Sequence, residues 1–426
     1  MTNLNKCSMS FLILIISFFL SNCQIKIPIK YFPVYNYIYS SPSRIMRNII
    51  QQNIYANIEI GVPKRTIQLP LKFDSSDFYI VNYDMIQKDS DKYSDIKVYN
   101  SSNSSSFNIS DDIYYVGNDF ELATYNKDIF YFNNEKYEME FYYPLDYRYC
   151  DSGGIGMQFV SGKNIADTTM YKGRTFLEVL KKNDLIPNYH WSIFYNSKQN
   201  KKEEEGFILI GNLPHNIDTD LGYYKKGYFK EDNLVSIHID VWGYSKIENV
   251  FQIDSIWAYI GKDKTKIIDD YTFDSKDRLK IKLDYNSGGV QAPTQTKKHY
   301  DRIFEEYISK GDCFNDTIKN NFDNVSFYYC KNNKNIISKI KNVFPIINFQ
   351  SKLLMYNFTL DADDLFIEEN GYIFCLLYFP KYSFDNIWKM GKPFLKKYHF
   401  SINYDSKQIY FYNDINENDE EEEEQF

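Results

Sequence analysis

Two aspartates lie at positions in this sequence where a carboxylate could do chemistry. Asp74 follows residues 66–72 and Asp284 follows residues 279–283, and in both stretches apolar and polar side chains alternate. This alternation predicts a strand with one buried face, so each aspartate should lie in the loop after a strand. Two carboxylates on facing loops can share one proton and hold a water molecule, one acting as base and the other as acid. Taken alone, each aspartate could equally be an ordinary carboxylate of a surface loop.

The stretch around Asp74 carries the clearest pattern in the chain. Residues 60–80 read IGVPKRTIQLPLKFDSSDFYI, which contains a turn marked by Gly61 and Pro63, a strand, two serines and a second apolar strand. This stretch resembles the first active-site segment of the pepsin-like aspartic proteases, in which an I-G-T-P turn leads through an apolar strand to D-T-G-S-S. The resemblance implies an aspartic endopeptidase scaffold in which the loops after the two strands face each other.

The catalytic triplet of that family is altered in both loops. Without gaps, the first D-T-G falls on Lys72-Phe73-Asp74, which places Lys72 at the first position of the catalytic pair. A register with two compensating length changes makes Asp74 the carboxylate instead. In the second loop Asp284 is retained, but Tyr285-Asn286-Ser287-Gly288 follows where the family has T/S-G-T-S. If Lys72 faces Asp284, the cation lowers the pKa of that carboxyl and removes the acid partner. Asp74, two residues further on, points to the same side and could still reach the cleft.

Further blocks resemble the same family in the expected order. Residues 152–157 are similar to its D-G-I-L-G-L segment, a helix is predicted at 176–186 with a strand and hairpin after it, and residues 388–403 are similar to its closing W-I-L-G-D block. Residues 113–118 resemble its flap, where Tyr115 matches the tyrosine over the substrate. A core or surface tyrosine is the alternative interpretation of Tyr115.

The resemblance implies the fold and the division of the chain. We expect an all-β, bilobal pepsin-like fold with a few short helices and an interlobe cleft. The N-terminal lobe should span 53–212 and the C-terminal lobe 213–411. Residues 24–52 are either a short pro-segment or an N-terminal extension, and 412–426 form an acidic tail without a folding signal.

The N-terminal residues predict entry into the secretory pathway. Residues 1–23 contain Lys6, a short apolar block at 11–20 and small residues before Cys23, which is the order of a signal peptide. A retained signal anchor is the alternative, although the apolar block is shorter than the roughly 20 residues that a membrane span needs. We therefore expect a secreted protein or one in the lumen of the secretory or endolysosomal pathway.

Charge and composition exclude several classes of partner. The net charge is −8, and the acidic tail accounts for it, so no basic field argues for nucleic acid. No later stretch is apolar enough for stable insertion into a membrane. The five histidines show no metal-ligand spacing and no C-x-x-C is present, so we expect no metal or other cofactor. We expect a monomer.

The cysteines and sequons fit an oxidising compartment. Six cysteines occur, and cleavage near Cys23 leaves an even number, so disulfides are expected. The family resemblance implies a Cys330–Cys375 disulfide, and the pairing of Cys150 and Cys313 stays open. Asn-x-Ser/Thr acceptor sequences for N-glycosylation begin at Asn100, Asn103, Asn108, Asn315, Asn324 and Asn357.

Three functions are compatible with these patterns. The first is a proteolytically silent relative that binds an extended polypeptide or protein ligand in the cleft. The second is an active acid protease that uses Asp74 and Asp284. The third is a secreted glycoprotein that binds a protein partner without any function of the cleft.

Overall fold

The computed structural model is built mainly of strands, with a few helices. The residues that it describes are 24–33, 41–73, 75, 77–86, 96–115, 122–145, 152–158, 175–195, 205–217, 219–221, 224, 228–238, 241–242, 246–247, 250–260, 265–268, 279–319, 324–351, 356–381 and 387–412. The expected all-β class is confirmed at this level.

The strands of the N-terminal half precede residue 211. They are β1 Ile25–Pro33, β2 Gln52–Ile60, β3 Arg65–Lys72, β4 Phe78–Ile80, β5 Ile113–Tyr115, β6 Leu122–Phe132, β7 Glu135–Pro144, β8 Gly153–Gly156, β9 His190–Tyr195 and β10 Glu205–Ile210.

The strands of the C-terminal half follow. They are β11 Leu234–His238, β12 Val241–Trp242, β13 Lys246–Ile247, β14 Val250–Ile253, β15 Ser255–Ile260, β16 Thr265–Ile268, β17 Leu279–Leu283, β18 Val290–Gln291, β19 Cys313–Lys319, β20 Asn324–Lys331, β21 Ile346–Ser351, β22 Tyr356–Leu360, β23 Phe366–Glu369, β24 Tyr372–Pro380, β25 Ile387–Met390, β26 Phe400–Asn403 and β27 Gln408–Tyr412.

The described helices are short. They are α1 Pro42–Ile50, α2 Phe176–Lys182, α3 Lys297–Ser309, α4 Lys334–Val343, α5 Ala362–Leu365 and α6 Lys392–Lys397, with 3₁₀ turns at Tyr83–Met85, Ser101–Asn103, Pro214–Asn216, Glu231–Asn233 and Thr294–Thr296. Among these described helices, none is long and apolar enough to cross a bilayer.

Helix α2 shows how the sequence sets an element. Thr175 accepts a hydrogen bond from the Glu178 backbone N–H, and the Glu178 carboxylate accepts one from the Thr175 N–H, which forms a capping box. The predicted helix therefore begins at Phe176. It ends at Lys182, before the predicted Ile186, because Asp184 takes a positive φ of 56° that a helix cannot accommodate.

Strands from both halves share the largest sheet. Its order is β11-β27-β26-β9-β10-β1-β2-β3-β8-β4-β7-β6-β5, so the closing strands 400–412 lie beside β9. An eight-stranded sheet has the order β14-β17-β25-β18-β24-β20-β19, with β23 beside β24, and a four-stranded sheet has the order β16-β15-β21-β22. Residues 250–260 are divided at Asp254 between these two sheets.

The N-terminal segment forms a central part of the fold. Strand β1 lies between β10 and β2, with Ile25 opposite Ile210 and Ile29 opposite Ala56. Helix α1 then packs Ile45 and Met46 into a cluster formed by strands of the C-terminal half. Strand β1 and helix α1 thus contact both halves of the chain.

The expected Cys330–Cys375 disulfide is wrong. Cys330 forms a disulfide with Cys313, which lies directly opposite it on the adjacent strand β19. Cys375 is a buried free thiol on β24. The family resemblance pointed to Cys375, but the hairpin register places Cys313 directly opposite Cys330, with 4.0 Å between the two Cα atoms. Cys150 lies outside the described residues.

Candidate functional site

The two predicted loops lie in equivalent places in two strand units that share a register. In the first unit β3 runs parallel to β8, with Leu71 opposite Ile155. In the second unit β17 runs parallel to β25, with Leu283 opposite Met390. Lys72 and Asp284 are the residues that directly follow Leu71 and Leu283.

The strands that leave the two loops repeat the same register. Phe78 of β4 lies antiparallel to Ile155, and Val290 of β18 lies antiparallel to Met390. The spacing from the incoming to the outgoing strand is seven residues in both units, from 71 to 78 and from 283 to 290. No length change separates the units, so the position equivalent to Asp284 is occupied by Lys72.

A serine steadies each loop in the same way. In the first loop, residues 73–77, the Asp77 N–H donates to the Ser75 hydroxyl at 3.2 Å. In the second loop, residues 284–289, the Gly289 N–H donates to the Ser287 hydroxyl at 3.2 Å. Ser75 and Ser287 occupy the same place in the seven-residue spacing. Both hydroxyls accept a hydrogen bond from the loop backbone, so both have a structural role.

Two aromatic rings bring the loops together. The ring centroids of Phe73 and Tyr285, the residues after Lys72 and Asp284, lie 4.3 Å apart. Trp191 of β9 lies 5.5 Å from Phe73 and 5.3 Å from Tyr285. Phe400 of β26 lies 5.3 Å from Tyr285 and 5.7 Å from Trp191. These four residues, the aromatic floor, fix the two loops against the large sheet.

Asp284 lies in a tight and largely desolvated turn. Its backbone N–H donates to the Met390 carbonyl at 2.9 Å, and its carbonyl accepts from the Ser287 N–H at 3.3 Å. Burial raises the pKa of its carboxyl above the ordinary value, although Lys389, the Asn286 backbone N–H and Lys282 act in the opposite direction. This is therefore a carboxyl whose ionised form costs free energy in the folded protein.

Lys72 is half-buried and contacts a residue of its own half of the chain. Its ammonium donates a hydrogen bond to the Tyr79 hydroxyl and lies 4.8 Å from the centroid of the Tyr79 ring. Tyr79 is fully buried. A side chain at Gly154 would meet the Lys72 chain at 3.0 Å, so the glycine leaves room for the lysine. Lys72 is therefore positioned by contacts with residues of its own half of the chain. The cations that act on the Asp284 carboxyl are Lys389 and Lys282.

Helix α1 holds the second loop from the other side. The Gln52 N–H donates to the Asn286 carbonyl at 2.9 Å, and the Gly288 N–H donates to the Ile49 carbonyl at 3.0 Å. A Cβ at Gly288 would lie 2.1 Å from the Ile49 carbonyl oxygen, so only glycine permits this approach. The sequence did not predict this role of the N-terminal segment, because no pattern in residues 24–52 indicates which distant loop they contact.

Buried phenols surround the second loop. The Ser287 hydroxyl lies 3.2 Å from the Tyr378 hydroxyl. Burial, with a contribution from the Asp284 charge, raises the pKa values of Tyr378, Tyr195 and Tyr285. The Tyr285 hydroxyl has no hydrogen-bond partner within the described part of the chain. The high aromatic content of the sequence hid these residues, because any one tyrosine among so many carries little signal.

Two buried histidines border this region. Nε2 of His190 lies 2.6 Å from the Ser401 hydroxyl across the β9–β26 pair. Burial, and then the charge of His215, lowers the pKa of His190 to about 3. Burial likewise lowers the pKa of His399 to about 4. Both side chains are neutral at neutral pH and resist protonation in the folded state.

Asp74 and Tyr115 are the two remaining residues of the predicted site. Asp74 lies outside the described residues. Tyr115 ends β5, with its backbone opposite Leu122, and the flap role stays a prediction. Where the chain is described, no group of three or more His, Cys, Asp or Glu side chains could hold a metal.

The six sequons occupy different environments. Asn103, Asn108, Asn315 and Asn357 are exposed, whereas Asn100 and Asn324 are half-buried. Asn100 and Asn103 line a groove of about 410 Å³ at the start of β3, which is the opposite end of that strand from Lys72. Exposure satisfies one requirement for modification at four of the six positions.

Comparison of the sequence with models of known protein families gave no match, and comparison with curated proteins gave none.

Proposed function

We propose that the protein is a secreted, bilobal member of the pepsin-like aspartic proteases that binds an extended polypeptide between its lobes without cutting it. The observation that carries this proposal is the shared register of the two strand units, in which Lys72 stands where a second aspartate would be needed. Proton sharing between two carboxylates requires two carboxylates at these places. Lys72 carries an amino group and no carboxylate, so only one carboxylate stands at the two equivalent places.

The residues beside the two positions support loss of catalysis. The rings of Phe73 and Tyr285 contact each other where the family has small hydroxyl residues beside its pair of acids. Lys72 is engaged with the buried Tyr79 hydroxyl, which stabilises the lysine in the folded protein.

The lowered pKa values of His190 and His399 favour function at neutral pH. Protonation of His190 and His399 costs folding free energy as the pH falls below about 6.5. A pair of aspartates that shares one proton works under acidic conditions. The lowered pKa values of His190 and His399 therefore make the folded state less stable in acid than at neutral pH.

A cleavage assay tests the proposal directly. The purified full-length protein is incubated with acid-denatured globin from about pH 3 to pH 7, beside Asp284→Ala, Asp74→Ala and an active pepsin-like protease. We expect no cleavage by the protein at any pH. Cleavage that disappears in both variants would overturn the proposal and establish the acid protease that uses Asp74 and Asp284.

A binding assay tests the cleft itself. The probe is a peptide of about eight residues that carries a statine unit, titrated while tryptophan fluorescence is followed, because Trp191 lies in the aromatic floor. We expect saturable binding at pH 7 that weakens at least tenfold in Asp284→Ala. Absence of binding, or binding unchanged in that variant, would favour a glycoprotein that meets its partner elsewhere.

A further inference from the structure

Strand β22 forms an open edge of the four-stranded sheet. It pairs with β21 on one side, and no described strand lies on the other. Its inward side chains Phe358 and Leu360 are fully buried, whereas Asn357 is exposed. The strand sequence YNFTL contains no charge and no proline. Such an edge is a ready template for pairing with another chain.

The backbone at this edge points outward at alternate residues. The Thr359 carbonyl accepts a hydrogen bond at 3.0 Å from the Tyr398 hydroxyl, which also accepts one from the Thr359 N–H. Asn357, two residues earlier, presents its N–H and carbonyl to the same side. The outward backbone groups of Thr359 are thus bonded to Tyr398. The other outward residue of the strand, Asn357, is the acceptor asparagine of a sequon.

Strand β19 repeats this arrangement at the edge of the eight-stranded sheet. It pairs with β20 on one side. The Lys319 carbonyl accepts a hydrogen bond at 2.6 Å from the Arg47 guanidinium, so this residue points outward. Asn315, four residues earlier, has the same direction and is exposed, with its amide nitrogen 3.5 Å from an Asp301 carboxylate oxygen. Again a protein side chain closes one position, and a sequon asparagine occupies another.

The remaining sequons lack this combination. Asn100 is half-buried, and its side-chain oxygen accepts hydrogen bonds from the Ser102 N–H at 3.1 Å and from the Ser102 hydroxyl at 2.6 Å. Asn324 lies on β20, which has partners on both sides. Asn103 ends a 3₁₀ turn, and Asn108 forms a single bridge with Lys127. Among the six sequons, only those at Asn357 and Asn315 combine exposure with an open strand edge.

We propose that N-linked glycans on Asn357 and Asn315 cover these two open edges and prevent the protein from pairing through them. In the modification, the side-chain amide nitrogen attacks the anomeric carbon of a lipid-pyrophosphate-linked oligosaccharide. A C–N bond forms, the lipid pyrophosphate leaves, and the amide loses one proton. A glycosylated asparagine keeps its backbone N–H and carbonyl, but the bulky sugar beside them blocks a second strand. The proposal depends on secretory entry and is independent of chemistry between the loops.

The first test measures occupancy and association together. The full-length chain is secreted from cultured eukaryotic cells as wild type, as Asn315→Gln/Asn357→Gln, and as the matched control Asn103→Gln/Asn108→Gln. Peptide mass spectrometry after enzymatic deglycosylation reports which asparagines carried sugar. We expect sugar on Asn315 and Asn357, a monomer for wild type and control in light scattering, and dimers or larger species for the edge variant. Unmodified edge asparagines, or an edge variant as monomeric as the control, would overturn the proposal.

A second test separates edge protection from a folding defect. Lysine on an edge strand discourages pairing by charge, so Asn315→Lys/Asn357→Lys should stay monomeric without any sugar. Native deglycosylation of the purified wild-type protein should cause association over hours, whereas that lysine variant should remain unchanged. If the lysine variant associates as strongly as the glutamine variant, edge pairing is not the cause. Peptide binding and globin cleavage are measured in separate assays. If the proposed function fails there, the effect of the glycans on association can still be determined.

Discussion

The ring centroids of Phe73 and Tyr285 lie 4.3 Å apart, where the loops at residues 73–77 and 284–289 meet. Each ring directly follows one of the two residues on which the chemistry would depend. The contact therefore sets the distance between the loops by aromatic packing, which is worth about 0.5–1.5 kcal/mol beyond the burial of the rings. A loop fixed in this way positions whatever lies beside it, whether that is a carboxylate or an ammonium.

Truncation of one ring of this contact should destabilise the protein strongly. Phe73→Ala removes a ring that contacts both Tyr285 and Trp191, so we expect a loss of about 3–5 kcal/mol in the free energy of unfolding. Tyr285→Phe keeps the ring and removes a buried hydroxyl that lacks a partner in the described structure, so its stability should be equal to wild type or about 1 kcal/mol higher. Urea unfolding measures both. A severe loss in Tyr285→Phe would mean that the hydroxyl has an essential partner.

Removal of the Asp284 charge should stabilise the protein at neutral pH. Burial raises the pKa of this carboxyl in the folded state, so the folded protein binds more protons than the unfolded chain above the ordinary aspartate pKa. Stability that depends on this group therefore falls as the pH rises through that range. We expect Asp284→Asn to gain about 1 kcal/mol at pH 7 and nothing at pH 3, where both side chains are neutral. Equal gains at the two pH values would contradict this assignment.

Acid should destabilise the protein partly through His190. Its pKa is lowered to about 3 in the folded protein, whereas an unfolded histidine titrates near 6.5. Between these values the unfolded chain binds more protons, so stability falls as the pH falls. His190→Gln should flatten the dependence of unfolding free energy on pH by about 1.4 kcal/mol per pH unit below pH 6. The half-buried His299 has only a modestly lowered pKa, and His299→Gln should flatten the curve less. A slope unchanged in His190→Gln would sink the prediction.

The disulfide should be essential for stability, and the third cysteine should not. Cys313 and Cys330 are 17 residues apart, and closure of a loop of that length stabilises a protein by about 3 kcal/mol. We expect Cys313→Ser to lose about that much, while Cys375→Ala should lose about 1 kcal/mol through a small cavity. Peptide mapping without reductant gives the direct check. A peptide that links Cys330 to Cys375 would contradict the structure.

Much of the local structure can be predicted from the sequence because it depends on neighbours in the chain. The alternation in 279–283 predicts β17 with its bounds, and the Thr175–Glu178 capping box fixes the start of α2. The ungapped placement of Lys72 in the family pattern agrees with the register in the structure, in which Lys72 takes the place in its strand unit that Asp284 takes in the other. In each case the information lies within a few residues, where periodicity and hydrogen-bonding geometry act directly.

What the sequence could not determine are the contacts between distant segments. The partner of Cys330 depends on which strand lies beside β20, and the break at Asp254 depends on which of two sheets each side joins. The hydrogen bond between Ile49 and Gly288 and the ring contact between Phe73 and Tyr285 join residues more than two hundred positions apart. Only the tertiary structure decides these, because sheet pairing and burial select among many partners of equal local merit. By itself, the sequence determined a strand-rich chain with a lysine in one candidate loop and an aspartate in the other; the folded arrangement decided that they occupy equivalent places.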